Sequence, residues 1–124
     1  MSEDRILRPS FTREDERGLL RELLNEGEWR SVVTGKMLAG SHMGNHYHKE
    51  TLVFFFLLSG HADVILEDVA TGTRSTLQLK ALEGIIFQTN ESHVLTFTES
   101  TEYLMLKSLP YDPANPDTYE HPLI

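Results

Sequence analysis

From Trp29 onward, hydrophobic and polar positions fall into short runs of strand character separated by turn residues. These are Trp29 to Leu38, Leu52 to Leu58, His61 to Glu67, Thr73 to Leu79, Ile85 to Gln88, Val94 to Thr98 and Tyr103 to Leu106. None is long enough for a well-formed helix. In Ala62-Asp63-Val64-Ile65-Leu66-Glu67 and Thr73-Arg74-Ser75-Thr76-Leu77-Gln78-Leu79 apolar and polar residues partly alternate, as they do in strands with one wet face. Ala70-Thr71-Gly72-Thr73 supplies the turn that makes the two a hairpin. Val53-Phe54-Phe55-Phe56-Leu57-Leu58 is apolar throughout, which suits a strand with the core on one side and a packed sheet or second subunit on the other. That run predicts a homodimer. Seven or more such strands without central helices predict an all-β sandwich or barrel over residues 29–109.

The two ends read differently. Residues 1–28 are dense in charge, with arginines and acids interleaved. Leu19, Leu20, Leu23 and Leu24 have helix-like spacing after Thr12, with Gly27 as a stop. The competing reading makes Asp15-Glu16-Arg17-Gly18 a turn and Leu19 to Leu24 a strand joining the sheet. Gly18 favours the turn, so the segment is expected to be an irregular flap or added strands. Residues 110–124 hold four of the five prolines, which predicts a tail extended across the surface of one domain.

Composition narrows the chemistry. A chain of 124 residues with net charge −8 and scattered lysines is a poor nucleic-acid surface. No apolar stretch approaches the roughly 20 residues of a membrane helix, and the charged start, Met1-Ser-Glu-Asp-Arg, does not read as a secretory signal; a cytoplasmic protein is expected. With no cysteine, any metal must be held by nitrogen and oxygen.

His46 and His48 flank Tyr47, and in an extended segment the period of two puts both imidazoles on one face. A barrel could bring His93 beside them, completing three nitrogens for a divalent ion with open positions for substrate. His42 shares their parity but lies beyond Gly44, where a strand can bend, and reads as a rim residue. His61, His121 and Arg74 read as surface groups, and Tyr47 as packing or interface. Trp29 and Phe54 to Phe56 read as core or dimer contact. Phe55, Phe97, Gln88 and Met105 are candidates to face the cavity, Gln88 as a hydrogen-bond donor to a substrate oxygen.

Gly40, His46-x-His48 and Gly60 are spaced as in the first motif of the cupin superfamily, which the chain resembles from about Gly35 to Phe97. The second motif fits by position, with Leu82 and Glu83 at its Gly-Asp, Gln88 at its proline, Asn90 at its second glycine and His93 at its histidine. The resemblance implies a cupin-type jelly-roll β-barrel. It also implies His46, His48 and His93 as metal ligands for zinc, iron or nickel, without the motif's glutamate, whose place Val53 takes. Glu50 lies three residues early and on the opposite parity, and reads first as a solvated acid. Phe97 at the motif's asparagine makes that wall more apolar.

Gly44-Asn45-His46-Tyr47-His48-Lys49, with Phe11 and Asp15-Glu16-Arg17-Gly18, is also similar to cupin domains of deoxysugar and capsular-polysaccharide pathways, including nucleotide-sugar 3,4-ketoisomerases and epimerases. That likeness implies a small-molecule ligand and proton transfer on a sugar-derived or other carbonyl metabolite. His46 or His48 would be the catalytic base, and Gln88, Phe55 and Phe97 would touch the substrate. The alternatives on the same residues are a three-histidine iron-dependent dioxygenase and a non-catalytic ligand-binding module.

Overall fold

The computed structural model describes residues 2–124. The short runs become two antiparallel sheets whose inner faces pack on each other in a jelly roll. One sheet orders β3 (Ser31–Met37), β10 (Thr101–Lys107), β5 (Val53–Ser59) and β8 (Gly84–Phe87). The other orders β11 (Tyr119–Glu120), β4 (His42–Tyr47), β9 (Glu91–Phe97), β6 (His61–Asp68) and β7 (Arg74–Lys80). The expected all-β, cupin-type barrel is the observed fold. Among the described residues no helix is long and apolar enough to cross a membrane.

Alternation decides which side chains enter the core. On β6 and β7, Ala62, Val64, Leu66, Leu77 and Leu79 point inward and are buried, while Asp63, Thr76 and Gln78 face out. They meet Val53, Phe55 and Leu57 from the other sheet in one cluster. A buried Leu, Val or Phe contributes about 1.5–3 kcal/mol relative to leaving it in water, so these rows hold the sheets together. The β6–β7 hairpin forms as read. Asp68 Oδ1 accepts from the N–H groups of Ala70 and Thr71, and Gly72 takes the left-handed conformation that closes the turn.

The second apolar face of β5 is covered within the chain. Phe54 and Phe56 are fully buried, and Trp29 packs on Phe54 with ring centroids 6.4 Å apart. That face therefore requires no second subunit. The N-terminal residues are strapped to the barrel: Leu7 bridges to Gly84, Arg5 reaches both Glu91 oxygens at 2.8 and 2.9 Å, and Arg8 pairs with Glu83.

Beyond the strap, β1 (Phe11–Asp15) and β2 (Gly18–Glu22) form a two-stranded ribbon closed by the Asp15–Gly18 turn. The turn reading holds, but the second strand pairs only with the first and does not join a barrel sheet. Phe11, Leu19 and Leu20 are exposed on this ribbon, so the helix-like spacing of the leucines marks no buried face.

The tail also departs from a simple surface path. Tyr119 and Glu120 pair with Tyr47 and His46 as an edge strand, and Leu123 is buried, its N–H donating to Asn45 Oδ1.

Candidate active site

The histidine cluster is built on a fault in a strand. β4 pairs with β9 in register from His42↔Thr96 to Gly44↔Val94, then shifts so that His46 stands opposite His93. Asn45 is the extra residue, in the left-handed conformation at φ 63°, and Gly44 lies at φ 114°. A Cβ at Gly44 would lie 2.3 Å from the His93 carbonyl oxygen, so only glycine lets the strands approach there. The bulge reverses the facing of everything before it. His42 pairs with outward Thr96 and is exposed, away from the cluster, although its sequence parity matches that of His46.

His46, His48 and His93 meet on the inner face. Their ring centroids are 5.1 Å (His46–His48), 4.9 Å (His46–His93) and 5.6 Å (His48–His93) apart, and their candidate ligand nitrogens lie within 4.8 Å of one another. His93 stacks on Phe87 at 3.9 Å with planes 5° apart, which fixes its ring. His48 Nδ1 lies 2.6 Å from the carbonyl oxygen of Asp117. A carbonyl can only accept, so Nδ1 carries the proton and Nε2 keeps its lone pair.

The surroundings of His46 and His93 favour their neutral rings. Burial, then the charges that His46 and His48 would carry, lowers His93 to about 3. Burial, then His48, also lowers His46 below the ordinary imidazole value. Three convergent imidazoles, with His93 Nδ1 buried and without a hydrogen-bond partner among the described residues, are a donor set that fits a borderline divalent cation such as zinc, iron or nickel.

The cluster opens into a chamber of about 180 Å³, walled by Val53, Phe55, Phe87, Leu95 and Met105, with Lys107 and Thr118 at its edge. A vestibule of about 380 Å³ shares His48, Lys107 and Thr118 with the chamber and is otherwise bounded by Glu50 and the tail from Leu109 to Asp117. Phe55 lines the chamber as expected. Phe97 is fully buried in the core beneath it, 6.4 Å from the Phe55 ring, and does not line it. Gln88 lies one residue past β8, exposed, its backbone N–H donating to Glu91; Ile85 and Phe87 take the inward positions of the strand, so Gln88 has the outward parity. Glu50 belongs to the vestibule and is exposed. His61 and His121 are bound elsewhere, to Thr98 and Glu67. A larger open groove of about 910 Å³ lies against β6 and β7 and the N-terminal strap, away from the three imidazoles.

Two residues that matter here carried weak sequence signals. Asp117 accepts from the N–H groups of Lys49, Glu50 and Thr51 and from the Thr51 hydroxyl, pinning the loop after His48. Nothing local marks it in a proline-rich tail. Lys107 faces inward because the period of two that aims Met105 at the cavity continues one step further.

An antiparallel jelly roll with three convergent imidazoles at one mouth places the chain among cupin-type barrels. It belongs to the polysaccharide biosynthesis C-terminal domain family, whose sequence model matches residues 13–119. Among solved structures it is similar to the QdtA 3,4-ketoisomerase from Thermoanaerobacterium thermosaccharolyticum (21% identity, TM-score 0.73, covering 94% of this chain and 86% of that one). It is also similar to dTDP-4-dehydrorhamnose 3,5-epimerase from Sulfolobus tokodaii (16%, 0.75, 89% and 73%). A third likeness is to the capsular polysaccharide assembling protein CapF from Staphylococcus aureus (20%, 0.72, 91% and 32%), of which the chain spans about a third. At these identities the likeness is one of fold. No curated protein sequence matches the chain.

Proposed function

We propose that the barrel holds a divalent cation on His46, His48 and His93 and catalyses proton transfer next to a carbonyl of a small sugar-derived metabolite, as an isomerase or epimerase. The observation that carries this reading is the convergence of three imidazoles, their ligand atoms within 4.8 Å of one another, at the wall of a sheltered chamber. The family and the named activities of the ketoisomerase and epimerase relatives support a sugar-derived carbonyl. A bound zinc, iron or nickel ion would supply Lewis acidity to the carbonyl oxygen. Phe55, Phe87 and Met105 exclude water around that oxygen, and Lys107 and Thr118 offer hydrogen bonds at the chamber edge. His48, with its proton fixed on Nδ1, presents one lone pair, which can hold an ion or accept a proton but not both at once. In an ion-free site His46 and His48 are therefore the proton carriers; in a loaded site they would be ligands, and the proton would pass to water in the vestibule beside the chamber.

The exposed ribbon, a two-stranded unit that is only marginally stable alone, supports a homodimer in which Phe11, Leu19 and Leu20 pack on a second copy.

The test of the activity is hydrogen exchange. Keto sugars and sugar-derived oxo acids are incubated in deuterium oxide with metal-loaded and metal-free protein, and deuterium at the carbon beside the carbonyl is read by NMR. Incorporation by the wild type, reduced about 100-fold or more in His46→Ala and His48→Ala, is expected. No incorporation from any compound in either state would overturn the proposal.

A further inference from the structure

The charges around the chamber say what kind of molecule it takes. The chain is strongly acidic at net −8, yet among the described residues no carboxylate lines the chamber. Its one formally charged wall group is a cation. Lys107 stands directly across from Val53 in the β10–β5 register, so both side chains share the inner face. Its ammonium reaches toward the vestibule, 5.7 Å from the Tyr111 ring centroid. Among the described residues no carboxylate lies within ion-pairing distance of it, and it donates no hydrogen bond. A lysine of intermediate exposure on the inner face, with no carboxylate of the described residues paired to it, can take the anion of a ligand. The imidazoles add no negative charge, and an ion held on them would add two positive ones.

Size and the vestibule's charge set the rest. About 180 Å³ is room for roughly six waters, so the part of a ligand that reaches the imidazoles is compact. A nucleoside diphosphate would have to lie in the vestibule, where Glu50 and Asp112 would face its phosphates with Lys107 alone to offset them.

Resting on the reading of the three-histidine cluster as the functional site, we propose that the ligand is a compact carboxylate bearing an adjacent oxygen, a 2-oxo or 2-hydroxy acid. Its carboxylate pairs with Lys107 and its second oxygen turns to the imidazoles. Lys107 is then the specificity-determining residue. Val53, apolar and on the same face, leaves the space between Lys107 and the cluster open to the ligand's own negative charge.

The experiment is isothermal titration calorimetry of zinc-loaded and zinc-free protein with pyruvate, its neutral isostere pyruvamide and uridine diphosphate. Wild type is compared with Lys107→Met, which keeps the stem and loses the charge, and Lys107→Arg, which restores it. Pyruvate should bind at least tenfold more tightly than pyruvamide, weaken about 10- to 100-fold in Lys107→Met and recover in Lys107→Arg, with uridine diphosphate weaker than pyruvate. Lys107-dependent pyruvate binding that is the same with and without zinc would uphold the anion site while removing the metal reading. Zinc bound at the histidines with equal affinity for acid and amide, or pyruvate affinity unchanged in Lys107→Met, would overturn the anion site and leave the metal reading standing. Tighter binding of uridine diphosphate than of pyruvate would overturn it too.

Discussion

Replacing Asp117 with alanine tests whether the tail is part of the site or merely lies on it. The carboxylate accepts four hydrogen bonds, three at 2.8 Å from successive backbone N–H groups and one at 2.9 Å from the Thr51 hydroxyl. Each is worth about 0.5–1.5 kcal/mol net, and the low end applies where water can reach the freed groups, as it can at Lys49 and Glu50. The loss should be about 2–4 kcal/mol in urea denaturation. Asp117→Asn should lose less, because an amide oxygen placed on the Thr51 side keeps three of the four bonds. The functional consequence runs through the neighbouring carbonyl. Without its anchor, the Asp117 carbonyl no longer holds His48 Nδ1, and metal affinity should fall about 10- to 100-fold, the usual cost of losing an outer-shell partner.

The pH dependence has a definite sign. Burial alone would raise the Asp117 carboxyl, but the N–H bonds from Lys49, Glu50 and Thr51 outweigh it and hold the group below the free value of about 3.9. Its stabilisation is thus complete above that value and lost as the pH falls through the lower folded one, so the gap between wild type and Asp117→Ala should narrow in acid. A variant destabilised by less than about 1 kcal/mol, with zinc affinity within twofold of wild type in chelator competition, would refute the reasoning.

Three further outcomes follow from the same geometry. Gly44→Ala should cost about 2–5 kcal/mol, from a left-handed backbone and a collision with β9, and should abolish the His46–His93 pairing, read as lost metal binding in whatever variant still folds. In metal-free protein, His93 folds neutral, so stability should decline as pH falls from about 6.5 toward about 3, and His93→Leu should lack that part of the decline in acid-titrated denaturation. Leu19→Glu together with Leu20→Glu should shift the sedimentation coefficient from dimer to monomer while leaving the thermal transition of the barrel nearly unchanged; an unchanged oligomer would show that the ribbon is not the contact.

Much of the barrel was legible because its strands are amphipathic. Ala62, Val64, Leu66, Leu77 and Leu79 alternate with polar residues, and burial on one face leaves a period that can be read directly. The shared face of His46 and His48 was legible from the same period of two, and His93 from its place in the second cupin-like motif. What could not be read depends on register and on distant chain. One extra residue at Asn45 turns His42 outward, and no local signal fixes where a bulge falls. Gln88 lies outside the chamber because Phe87, one residue before it, takes the inward position. The burial of Phe54 comes in part from Trp29, some 25 residues away, so of the two readings of that apolar second face, internal packing or a subunit contact, the fold takes the internal one. Asp117 matters only because the tail returns beside β4, a long-range pairing that composition does not encode.

The central claim, an ion on three histidines, is tested most directly by elemental analysis of protein purified without a histidine tag, with His46→Ala and His93→Ala beside it. About one equivalent of zinc, iron or nickel per chain, lost in both variants, is the predicted result. Zinc would favour carbonyl polarisation, and iron accompanied by oxygen uptake would move the chemistry to dioxygenation on the same residues. Failure to retain any of the three ions after reconstitution, in protein whose fold is intact, would contradict the account.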